Sequence, residues 1–148
     1  MYFVDQQKIE KNLDCLERYS KMYQEESKWD NNIQLLALER IAHVMTDCVL
    51  DIGNAIIDGF IMRDPGSYED IIDILLDEKV INEEMEKQFK AILPIRKMIV
   101  QEYLQMDHEK VRAILNDNIG AFLAFPDAVR TYLKNELGPV SAFTPNQQ

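Results

Sequence analysis

The sequence predicts an all-α fold, an antiparallel bundle of about five to six helices, and three observations carry that prediction. Only five glycines and five prolines occur in 148 residues, so long stretches contain neither. Apolar residues recur at helical spacing through those stretches. Capping residues stand where the periodic runs begin and end, and no run alternates as a strand would.

The first helix is expected after Asp5, a good N-cap, and runs to about Glu26 with Ile9, Leu13, Leu16 and Tyr19 or Tyr23 inward. Trp29 to Asn32 reads as a linker. The second helix spans about Ile33 to Phe60; Gly53 inside it costs roughly 1 kcal/mol relative to Ala and marks a close helix contact. Arg63 to Ser67 is a turn, and Ser67 caps a short third helix from Tyr68 to Asp77, with Asp70 at the acid position of a capping box. Asn82 caps a fourth helix, which Pro94 ends or kinks because proline lacks an N–H and clashes with the preceding turn. A fifth helix then runs to about Met106. Asp107 caps the last helix, which bends near Pro126 and stops at Gly138. Residues 1–138 are read as one domain and 139–148 as a loosely held tail.

Composition bounds the function. At 47% hydrophobic and 28% charged, the chain is too apolar for disorder and long enough to bury a core. Its 16 basic and 26 acidic residues give a net charge of −10. Such a chain repels nucleic acid on average, so an RNA-directed role needs a local basic patch. Lys87, Lys90, Arg96 and Lys97 offer one, diluted by Glu83, Glu84, Glu86 and Glu102.

Cys15 and Cys48 are far apart in sequence and form no CxxC, so neither a disulfide framework nor a zinc site is expected. The opening MYFVDQQKIEKNLDC has no secretory pattern. The most apolar stretch, Val44 to Met62, is interrupted by Asp47, Asp51 and Asp58 and is no membrane span. A cytoplasmic protein without membrane contact is the expectation.

Two polar features need explanation. In the second helix, Ile41, Cys48, Val49, Ile52, Ile56 and Ile57 share one side, while Arg40, His43, Asp47, Asp51, Asn54 and Asp58 share the other. That stripe is either a solvated face or the lining of a cleft or subunit contact. Carboxylates at i and i+4 also suit a metal ion, but no neighbouring ligands support one, and no metal or cofactor is expected. The stretch IRKMIVQEYL (Ile95 to Leu104) differs. Arg96 sits near the middle of an apolar arc of Ile95, Ile99, Val100, Tyr103 and Leu104, about 20° from Tyr103, with Gln101 at the rim beside Lys97. A charge there must either pair with a second-helix acid, Asp47 or Asp51, or face a wet, protected interface.

The segments ALER (Ala37 to Arg40), LDIGNAIID (Leu50 to Asp58), DPGSYEDIIDIL (Asp64 to Leu75) and RKMIVQEYLQMD (Arg96 to Asp107) resemble the HEPN superfamily. Within it they are similar to the HepT-like toxins, in a Bacillus-type branch. The family signature is Arg, four to six residues, His, one residue, Tyr, then an acidic turn. Here Arg96 and Tyr103 match and Gln101 stands at the His position. The resemblance implies a HEPN-like bundle forming a homodimer, with two motif copies around a shared cleft lined by His43, Asp47, Asp51 and Lys97. That cleft would let Arg96 sit on an apolar helix face without entering a dry core.

The resemblance further implies metal-independent ribonuclease chemistry. The motif His handles a proton of the RNA 2′-OH or leaving oxygen, and Arg stabilises phosphate charge. It also implies pairing with a small nucleotidyltransferase antitoxin and AMP modification of the motif tyrosine, here Tyr103. Gln101 has no titratable proton near neutral pH, so it cannot be a general acid or base, and losing that role typically removes about 10²–10⁴ in rate. His43 and His108 are the histidines available as substitutes. The alternative is a non-catalytic dimer that binds a nucleotidyltransferase, nucleotide or RNA through the same cleft.

Overall fold

Five α-helices make up the computed structural model, which describes residues 3–138: α1 (Gln6–Glu25), α2 (Asn32–Gly59), α3 (Tyr68–Asp77), α4 (Glu83–Gln101) and α5 (His108–Leu137). A single 3-10 turn, Tyr103–Gln105, joins α4 to α5. The tail read as loosely held lies outside the described residues.

Each helix begins on a polar side chain that accepts an otherwise orphaned backbone N–H. Asp5, Asn31, Ser67, Asn82 and Asp107 accept from the amides of Lys8, Gln34, Asp70, Met85 and Lys110, at 2.8–3.1 Å. At Asn31 the box closes, because the Gln34 carboxamide also takes the Asn31 N–H. At Ser67 it closes differently. The Asp70 carboxylate accepts from the Gly66 N–H and from Arg63, both at 2.8 Å, and so clamps the preceding turn. Gly138, at φ 64°, ends α5 with its N–H on the Lys134 carbonyl.

Pro94 does not end a helix. It lies on the exposed side of α4, where one missing N–H bond is cheap, while Ile92, Leu93 and Ile95 stay buried and hold the chain helical through it. The expected fifth helix is therefore the last part of α4. It stops at Gln101 rather than Met106, with the Glu102 N–H closing on the Met98 carbonyl. Pro126 is likewise inside α5 and buried.

Two antiparallel pairs form the bundle. α1 lies against α2, with Val4 packed on Gly59, where a β-carbon would come within 2.8 Å of Val4 Cγ2. α4 lies against α5 through Phe89, which meets Phe122 and Phe125 edge to face at 5.3 and 5.4 Å. α3 crosses α2 at Gly53, bringing Ile71 and Leu75 onto the glycine as the close contact predicted there. Trp29, in the expected linker, is buried and stacked on Tyr23 at 5.9 Å, so that connection is pinned. Cys15 and Cys48, distant in sequence, are brought together on α1 and α2.

Among the described residues no helix is long and apolar enough to cross a membrane.

Candidate functional site

Glu39, His43 and Asp47 stand at i, i+4 and i+8 on α2, so helical geometry stacks them one above another on one face. Each is engaged. Arg96, from α4, donates its Nε–H to Asp47 Oδ1 at 2.6 Å, and the other carboxylate oxygen, Oδ2, lies 3.0 Å from His43 Nε2. One turn toward the α2 N-terminus, Glu39 Oε2 lies 2.6 Å from His108 Nε2 at the start of α5.

Arg96 is 16% exposed, so its charge is largely removed from water and needs compensation. Asp47 supplies it on one edge. On another side the guanidinium carbon lies 4.6 Å from the centre of the Tyr68 ring, within cation–π range. Burial pulls the Arg96 pKa down, but the bond to Asp47 and its charge outweigh burial and hold the group above its usual range. Arg96 is thus permanently charged, with α2, α3 and α4 each contributing one side of its surroundings.

Of the two acids considered for Arg96, Asp47 makes the pair. Asp51, one turn on, is exposed; burial and the nearby Asp47 charge raise its pKa. It borders a separate open hollow of about 480 Å³ with Asp5, Lys8, Lys11 and Asn12. Lys97 is exposed, as are Arg40, Asn54 and Asp58, so that part of the stripe is a solvated face. Lys90 is tied to Asp73 and Glu86, which narrows the basic edge read from the sequence.

The motif positions fall elsewhere. Gln101 is the last residue of α4, five residues beyond Arg96, which places it about 7.5 Å along and about 140° around the helix. Tyr103 is 65% exposed on the 3-10 turn, so the 20° offset from Arg96 drawn on a continuous helix does not apply. Gln101 to Gln105 surround a shallow surface hollow of about 320 Å³. Leu104, 86% exposed, and Leu36, one turn before Glu39, leave apolar surface at this same end of the bundle.

Two parts of the site escaped sequence reasoning. Tyr68 followed a helix cap and gave no sign that it would face Arg96. The sequence offered Asp47 as one partner for Arg96 and set His43 one turn before it, but gave no sign that both would meet the same carboxylate. Among the described residues no three His, Cys, Asp or Glu side chains cluster as a metal site would.

Residues 9–129 match the family model for HepT-like proteins, described as ribonuclease HepT-like. The chain is 48% identical over 143 residues to the Bacillus subtilis (strain 168) protein "Putative RNase YutE", covering 97% of this chain and 99% of that one. The solved structure of the cytosolic Bacillus subtilis protein YutE superposes with a TM-score of 0.93, covering 97% of this chain and all of that one. A tri-AMPylated Shewanella oneidensis HEPN toxin, solved in complex with its MNT antitoxin, shares the fold at a TM-score of 0.70 and 18% identity. That match covers 88% of this chain and 99% of the toxin.

Proposed function

Because the chain belongs to the ribonuclease HepT-like family, we propose that it is a toxin-related, RNA-directed protein of a HEPN and nucleotidyltransferase pair. The observation that carries this reading is the Arg96 guanidinium, held charged between Asp47 and Tyr68 at the edge of a polar stripe. Asp47 occupies its Nε edge, and its terminal nitrogens are the donors an RNA phosphate would meet. Gln101 does no proton transfer; its carboxamide serves only as a hydrogen-bonding group near the bound strand.

The protein acts as a homodimer in this reading. Ile33, Leu36, Tyr103 and Leu104 are all exposed and sit where α2 starts and α4 ends, surface that a second copy would cover. Pairing there brings two copies of the stripe around one cleft. Tyr103, with its ring in solvent, is the AMP acceptor for a nucleotidyltransferase partner, as that partner's active site requires an accessible hydroxyl. The protein works in the cytoplasm.

The second reading, a non-catalytic dimer that binds RNA or the nucleotidyltransferase through the same cleft, is favoured by Gln101 and by the −10 charge. An RNA cleavage assay in EDTA separates the two. Cleavage by wild type that vanishes in Arg96→Ala supports the nuclease. Cleavage only in Gln101→His supports the binder with a dormant site. Sedimentation should give a dimer that Leu104→Glu weakens. Incubation with a cognate nucleotidyltransferase and ATP should add AMP to wild type but not to Tyr103→Phe.

A further inference from the structure

We propose that His43, on α2, is the proton-transfer residue of this chain, with Asp47 lying between it and Arg96. The inference rests on the ribonuclease reading above and assigns to α2 the role that the motif places on α4.

The geometry separates the candidates. His43 shares a carboxylate with Arg96, with Asp47 Oδ2 at 3.0 Å from its Nε2 and Oδ1 at 2.6 Å from Arg96 Nε. A base and a phosphate-binding cation thereby flank one acid. His108 is bound to Glu39 and shares no partner with Arg96. Gln101 is an amide, about 140° around α4 from Arg96. His43 is also 27% exposed, so a bound strand can reach it.

The unprotonated ring nitrogen of His43 takes the proton of an RNA 2′-OH. The 2′-oxygen forms its bond to phosphorus and the bond from phosphorus to the 5′-oxygen breaks. The departing 5′-oxygen takes a proton from water, and the hydroxide left behind recovers the proton from the imidazolium. The products are a 2′,3′-cyclic phosphate and a 5′-hydroxyl, with no net proton change and no metal. As negative charge grows on the phosphorus oxygens, Arg96 meets it and Asp47 stabilises the new imidazolium. The charged or titratable groups facing this unit are Glu39, Asp47 and Asp51 on α2, Tyr68 on α3, Arg96 on α4 and His108 on α5.

The test uses the full-length chain, an RNA oligonucleotide and EDTA. We expect wild type and His108→Gln to cleave within a few-fold of each other and leave 2′,3′-cyclic ends. His43→Gln should lose about 10²–10⁴ in kcat, with KM within a few-fold and an unchanged thermal melt. Added imidazole should restore turnover to His43→Ala, a rescue that a merely structural role would not give. The acid limb of the wild-type pH profile should vanish in His43→Gln. Cleavage by wild type that survives in His43→Gln overturns the proposal and leaves the ribonuclease reading standing. No cleavage by wild type overturns both.

Discussion

The Nε–H of Arg96 meets Asp47 Oδ1 at 2.6 Å across the α2–α4 contact, in a position where the arginine is mostly shielded from water and the acid is about one-third exposed. Removing the acid would strand a charge that solvent reaches poorly. Asp47→Ala should therefore destabilise the fold by about 1–3 kcal/mol, less than for a fully buried pair because Asp47 itself is partly hydrated. Asp47→Asn, which keeps one acceptor for Arg96, should lose less. Urea titration of the two variants beside wild type measures both, and equal stabilities across all three would show that the pair contributes nothing.

Gly53 sets the distance between α2 and α3. A β-carbon there would lie 2.6 Å from Ile71 Cγ2 and 3.3 Å from Leu75 Cδ1. The Ile71 methyl is attached at its own β-carbon and is buried, so it cannot swing aside without moving α3. Although alanine is the better helix former by about 1 kcal/mol, overpacking should win, and Gly53→Ala should cost about 1–3 kcal/mol in a thermal or urea melt. A variant more stable than wild type would mean that α3 yields easily, and Tyr68, at its first turn, would then be a loosely held neighbour of Arg96.

The caps at Asp5, Ser67, Asn82 and Asp107 and the stop at Gly138 were legible in the sequence because each is decided within one helical turn. The apolar side of α2 was legible for the same reason, since its buried residues repeat at the helical period. Pro94 was not, because whether a proline breaks a helix depends on the burial around it. A separate error lay at the other end: extending a helix to Met106 placed Tyr103 beside Arg96 on a wheel, whereas the chain has already left the helix at Glu102. The contact between Arg96 and Tyr68 joins residues 28 apart through the packing of α3 on α4, and no local pattern encodes it. For Arg96 the sequence offered Asp47 and Asp51 equally; only the rotation of α4 against α2 selects Asp47.

Cys48 gives a pH signature. Burial, with Cys15 beside it, pushes its thiol up to about 12. In the unfolded chain the thiol titrates in its ordinary range, near 8.5. Between those limits the unfolded state has lost a proton that the native state keeps, so stability falls as pH rises, by up to about 1.4 kcal/mol per pH unit. Below the ordinary thiol pKa the effect is absent. Urea midpoints for wild type should drop more steeply between pH 9 and 11 than those for Cys48→Ala, in which that proton is missing. Parallel slopes would place the Cys48 thiol in contact with solvent.

Pro94 stands two residues before Arg96 and removes one N–H bond from the helix that positions it. Proline in a helix interior is disfavoured by about 3 kcal/mol relative to alanine, in part through its clash with the preceding turn. Here the residue is exposed while its neighbours Leu93 and Ile95 are buried, so the missing bond falls on the side of α4 that water reaches. Pro94→Ala should restore the bond to the Lys90 carbonyl and stabilise the protein by about 1–2 kcal/mol, less than the full difference of an isolated helix interior. Any change this makes in the path of α4 would shift Arg96 relative to Asp47, so RNA binding or cleavage should fall while the urea midpoint rises. Stability gained with function intact would separate the proline from the site. Stability lost would show that the ring itself contributes to the packing of α4.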